Sequence, residues 1–105
     1  MTINNLWYGF EQWSDGFSID DENSDVIFEL SDGTKWSAFF ITYQNLLSLS
    51  KKNQKTGECL EGQYFYADKP IFISKMSKEL ILAVLQDIIQ SESDLTSVFT
   101  RIEDN

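Results

Sequence analysis

Residues 26–42 constrain this chain most, because two runs of β-forming residues flank an Asp-Gly pair. Val26-Ile27-Phe28-Glu29-Leu30 leads into Ser31-Asp32-Gly33-Thr34, and Lys35 to Thr42 follows with Trp36, Phe39, Phe40 and Ile41. An Asp-Gly pair supplies the positive φ angles of a tight turn, so the pattern predicts a β-hairpin. In the second run the alternation lapses at Phe39-Phe40-Ile41, as in a central strand covered on both sides.

A helix is the next clear signal. Ser77 reads as an N-cap, and apolar residues at 81, 84, 85, 88 and 89 form one stripe that Leu80 and Leu82 widen. So broad an apolar face belongs against a sheet. Thr42 or Tyr43 opens a shorter helix with Leu46, Leu47 and Leu49 inward, giving way from Ser50 to an exposed basic loop ending at Gly57. Leu60 to Ala67 predicts a strand carrying Tyr64, Phe65 and Tyr66, and Asp68-Lys69-Pro70 a turn. Ile71-Phe72-Ile73 predicts a further strand, with proline where no ladder donor is lost. Leu6 to Ile19 suggests one or two irregular strands, and the stretch after Asp94 either a capped helical turn or an edge strand over 97–102. This order predicts an α+β fold: a mainly antiparallel sheet of about four to six strands with two or three helices packed on it.

At 105 residues the chain has the length of one compact domain, residues 1–105. Its 42% apolar content and 14% aromatic content exclude a wholly disordered acidic tail. Cys59 is the one cysteine, so no disulfide forms within the chain, which fits a reducing cytosol. The first residues lack the basic and apolar regions of a signal peptide, and no apolar run approaches the ~20 residues of a membrane span. A cytoplasmic protein is expected.

Charge narrows the function classes. Seventeen acids face eight bases for a net charge of −9, and histidine is absent. Residues 1–37 hold eight acids against Lys35 alone, whereas residues 38–82 carry six lysines and four acids. Such a field repels nucleic acid and anionic membrane and attracts a basic partner.

Catalytic motifs do not emerge. Without histidine there is no Ser-His-Asp or Cys-His arrangement, and the commonest transition-metal ligand is missing. Cys59 sits near Glu58 and Glu61, whose charge raises a thiol pKa and disfavours a nucleophile. Asp20-Asp21-Glu22-Asn23-Ser24-Asp25 lacks the glycine of a calcium loop in either register and reads as a solvated acidic loop. Gly57 to Gly62 is no phosphate cradle, and Lys51, Lys52 and Lys55 lack the interleaved aromatics of a nucleic-acid patch. The chain therefore reads as a binding protein, not an enzyme, with no metal and no cofactor.

One constellation remains. Trp7, Tyr8, Phe10, Trp13 and Phe17 lie among Glu11, Asp15, Asp20, Asp21, Glu22 and Asp25. Aromatic anchors supply affinity and surrounding acids supply steering, the combination an interface for a basic protein uses. The candidate contact residues are Trp13, Asp15, Asp20, Asp21, Glu22, Asp25 and Asp32. The competing reading makes the aromatics core and the acids a solvated rim.

With the run Asp25–Ile41, the Tyr64-Phe65-Tyr66 segment and the late Leu80–Ile89 helix, the chain resembles immunity proteins of bacterial toxin systems, those of contact-dependent growth inhibition above all. The resemblance spans roughly residues 25–90 and is one of size, charge and general pattern. It implies a cytoplasmic inhibitor, monomeric in preference to dimeric, that binds one cognate toxin domain, commonly a basic nuclease. Two alternatives from other classes stand beside it: an acidic secretion-type chaperone, which would dimerise, and a small metal-binding or hydrolytic domain using the acid-rich loop.

Overall fold

The computed structural model describes residues 2–12 and 18–103; the candidate residues Trp13 and Asp15 lie outside them. Strand β1 (Ile3–Tyr8) runs into a 3-10 turn at Gly9–Gln12, and the hairpin follows as β2 (Asn23–Leu30) and β3 (Lys35–Thr42). Helix α1 (Tyr43–Thr56), a short irregular segment α2 (Glu58–Gly62), β4 (Pro70–Ile73) and α3 (Lys78–Ser91) come next. A 3-10 turn at Leu95–Ser97 and β5 (Thr100–Ile102) complete the order. The α+β class predicted from the sequence holds. No helix among the described residues is long and apolar enough to cross a membrane.

The hairpin forms as the Asp-Gly signal requires, with one refinement. Gly33 N–H donates to the Leu30 carbonyl at 2.9 Å, and Leu30 N–H donates to the Thr34 carbonyl at 2.9 Å. Only Gly33 of the pair takes a positive φ, +87°. Asp32 contributes through its side chain: Oδ1 accepts from the Thr34 amide at 3.0 Å and the Thr34 hydroxyl at 2.6 Å. Aspartates that bond to backbone two residues on favour such turns.

Strand β3 is central. β2 pairs antiparallel along one edge, and the other edge is shared: β5 pairs antiparallel with residues 35–37, and β4 pairs parallel with residues 39–42. β1 lies antiparallel on the far side of β2. Alternation in β2 sends Val26, Phe28 and Leu30 to one face, where they are buried with Trp36, Ala38 and Phe40 of β3. Ile81 and Leu85 of α3 close over this face, joined by Phe10, Met76 and Phe99. Ser77 Oγ accepts from the Leu80 amide at 3.1 Å, so the predicted cap starts the helix. Each large apolar side chain buried here contributes about 1.5–3 kcal/mol.

The segment between β3 and β4 departs from expectation. Helix α1 does not give way at Ser50 but continues to Thr56, where Gly57 at φ +87° ends it and donates to the Asn53 carbonyl. The Lys51, Lys52, Gln54 and Lys55 stretch is polar yet rich in good helix formers. Leu47 is 59% exposed and not inward, while Asn45 and Asn53 are the buried residues of this helix. Leu60 to Ala67 forms no strand. Cys59, Leu60 and Glu61 instead take left-handed backbone angles, with φ of 52°, 51° and 59°. Such angles cost non-glycine residues about 1–2 kcal/mol each. Backbone in that region of φ and ψ is not extended, so the segment cannot enter a ladder there. No residue of 43–67 enters the hydrophobic core. The radius of gyration, 14.9 Å, exceeds the value of about 13 Å usual at this length, as expected when a helix stands off the core.

Candidate functional site

The face of the sheet turned away from α3 is the candidate site. Because β-strand side chains alternate, the residues between the core positions of β1, β2 and β3 all project to this outer face. Trp7 pairs with Ile27, Ile27 with Ser37, and Ser37 with Thr100, making one rank across four strands. Asn5, Glu29, Lys35 and Ile102 form the rank on one side of it. Asp25, Phe39 and Pro70 form the rank on the other side. Trp7 is 48% exposed and Phe72 45% exposed, and Tyr43 stacks on Phe72 with ring centroids 6.2 Å apart. Along β2 the acidic Asp25 and Glu29 flank the apolar Ile27 on this surface, while Ile41 of β3, on the same face beside Phe72, is fully buried. Lys35 Nζ lies 5.8 Å from the centre of the Trp7 ring, and Asn5 Nδ2 donates to Glu29 at 3.0 Å.

The acids singled out from the sequence have unequal roles. Asp20 and Asp25 are exposed, Asp25 on the outer face between core residues Ser24 and Val26. Asp21 is committed to the protein itself: Oδ1 accepts from Asn45 Nδ2 at 2.8 Å and Oδ2 from the Ser48 hydroxyl at 2.7 Å. The Ser48 hydroxyl, followed by the Asn45 amide, holds the Asp21 carboxyl below its ordinary range. Glu22 is half-buried, and its amide donates to Thr42 Oγ1, which also caps α1 by accepting from the Asn45 amide. Asp32 belongs to the hairpin turn, where the Thr34 hydroxyl and then the Thr34 amide lower its pKa. That turn lies at the opposite end of β2, on the order of 20 Å from Asp25 at ~3.3 Å per residue. Asp20, Asp21, Glu22 and Asp25 therefore gather near one end of the sheet, and Asp32 stands apart from them.

Sequence reasoning missed most of the apolar half of this surface. The sequence places Ile27 and Phe72 in strands without assigning them a face, and Phe39 in a strand covered on both sides. A signal was present in β2: Val26, Ile27 and Phe28 break the alternation that a one-sided strand shows, and Ile27 sits between Asp25 and Glu29. Phe10, grouped with the interface aromatics, is fully buried.

A pocket of about 380 Å³ opens on the outer face beside Phe39, lined by Asp25, Ser37, Asp68, Lys69 and Thr100 among others. It lies at the seam where β4 and β5 divide the edge of β3. Lys69 Nζ donates to the Phe99 carbonyl at 3.3 Å and ties the two sides of the seam together. No group of three metal-ligating side chains occurs among the described residues. No family model, curated protein or solved structure matches this chain.

Proposed function

We propose that this chain is an immunity protein that neutralises a cationic toxin domain, a nuclease in the first instance, by seating it on the outer face of the sheet. The observation that carries the reading is the exposure of Trp7, Ile27 and Phe72 on the outer face, with Asp25 and Glu29 on either side of Ile27. A nuclease cleft is basic because it holds phosphates, so carboxylates on a rigid sheet compete for the same surface. The net charge of −9 steers a basic partner, and electrostatic steering raises association rates by about 10–1,000-fold. Residence time then depends on aromatic anchors desolvated in the contact, the part this reading gives to Trp7 on β1 and Phe72 on β4.

Co-expression with the product of the gene beside this chain's own tests the reading, that product being a toxin on this proposal. Growth is expected to be rescued by the wild-type chain and lost with Trp7→Ala combined with Phe72→Ala. Equal rescue by the double variant, folded and equally abundant, argues against the outer face as the contact. The acidic chaperone is favoured by a different observation, the exposed Leu47, Leu60 and Tyr66 outside the core. Light scattering separates the two: a monomer supports the inhibitor, and a constitutive dimer supports the chaperone.

A further inference from the structure

Building on that reading, we infer that the pocket beside Phe39 is a receptor for one arginine side chain projected by the bound partner. Three of the sheet's own pairings fix its shape. Asp25 lies directly across from Phe39, Phe39 from Pro70, and Ser37 from Thr100. The Ala67–Lys69 loop and Val98 form the remaining walls. Because the floor is sheet and the walls are joined by the Lys69 to Phe99 bond, the pocket is formed before anything binds.

Its lining selects the ligand. Asp25 and Asp68 set two carboxylates against the single positive charge of Lys69, which excludes an anion. Ser37 and Thr100 add hydroxyls that a purely apolar group would leave without partners. Phe39, Ala67 and Val98 offer apolar surface for an aliphatic stem. A cation on a hydrocarbon stem satisfies all three. Guanidinium fits better than ammonium, because its five planar donors reach carboxylates and hydroxyls together and its face stacks on an aromatic ring. At about 380 Å³ the pocket has room for an arginine side chain, and its two carboxylates, not its size, disfavour a phosphate-bearing ligand.

The test needs no partner, so its failure is distinct from failure of the immunity reading. The isotope-labelled chain is titrated with N-acetyl-arginine-N-methylamide and followed by amide chemical shifts. Shifts are expected at Ser37, Phe39, Ala67, Asp68 and Thr100, saturating with Kd on the order of 1 mM. Asp25→Asn and Asp68→Asn, each with an otherwise unchanged spectrum, should each weaken binding on the order of tenfold. Free arginine should bind less well, since its α-carboxylate meets Asp25 and Asp68. Equal shifts with the uncharged citrulline analogue, or none in the pocket, overturn the assignment. Tighter binding of free arginine or putrescine overturns the partner side chain as the source and marks a metabolite site.

Discussion

Helices α1 and α3 are both fourteen residues long and both begin at a hydroxyl cap, yet they are held by different forces. α3 places Ile81 and Leu85 in the core with no exposure. α1 buries two asparagines and leaves Leu47 in solvent. Its attachment is a set of directed bonds: Asn45 donates to Asp21 and accepts from Asn23 Nδ2 at 2.7 Å, and Ser48 donates to Asp21. Hydrophobic burial is non-directional and indifferent to pH, whereas hydrogen bonds to a carboxylate are geometric and depend on its ionisation. One helix belongs to the fold. The other is fastened to it.

Substitutions should expose that difference, beginning with the core. Leu85→Ala removes a fully buried side chain and should lower global stability by about 2–5 kcal/mol in urea denaturation. Asn45→Ala should have a smaller effect, about 1–2 kcal/mol, and a local one. Hydrogen exchange should quicken across α1 while the amides of β2 and β3 keep their protection. An Asn45→Ala loss as large and as global as that of Leu85→Ala would dissolve the distinction.

Acid offers a gentler probe. Folding depresses the Asp21 pKa, so its contribution is complete above the unfolded value near 3.9 and is lost as pH falls through the lower folded value. The α1 attachment should therefore be constant from neutral pH down to about 4 and loosen below it. Amide shifts of Asn45 and Ser48 followed through an acid titration read this directly, and Asp21→Asn should remove the step. Smallest of all, Leu47→Ala at the exposed side of α1 should stay within about 0.5 kcal/mol of the wild type.

The same division explains what could be read from the sequence. The hairpin and α3 were legible because each carries a local signal that agrees with its tertiary place: Asp32-Gly33 for the turn, and Ser77 with the 81–89 stripe for the helix. Pro70 at the head of β4 was legible for the same reason. Tyr64-Phe65-Tyr66 misled because β-propensity records a preference for a pleated, half-buried surface, and these three rings stand exposed with no such surface beneath them. The polar attachment of α1 was hidden as well, since Asp21, Asn23, Asn45 and Ser48 look solvated until the loop before β2 meets the helix. Of the candidate site, the acids near Asp25 were visible as charge. The outward Ile27, Phe39 and Phe72 were not, because apolar residues give no sign of which face they occupy until the register is known.

The claim on which the functional account turns is that the outer face meets a cationic protein. Association kinetics with the proposed toxin partner provide the test, measured from about 50 to 500 mM salt for the wild type and for Asp20→Lys/Asp25→Lys/Glu29→Lys. None of the three belongs to the Asp21 attachment or the Asp32 turn; Glu29→Lys gives up the exposed Asn5 bond and sets a lysine opposite Lys35, so the thermal midpoint should fall only slightly. Association by the triple variant should be slower by at least about tenfold at low salt, with a flattened salt dependence. Unchanged rates and an unchanged salt slope in the folded triple variant would contradict the claim.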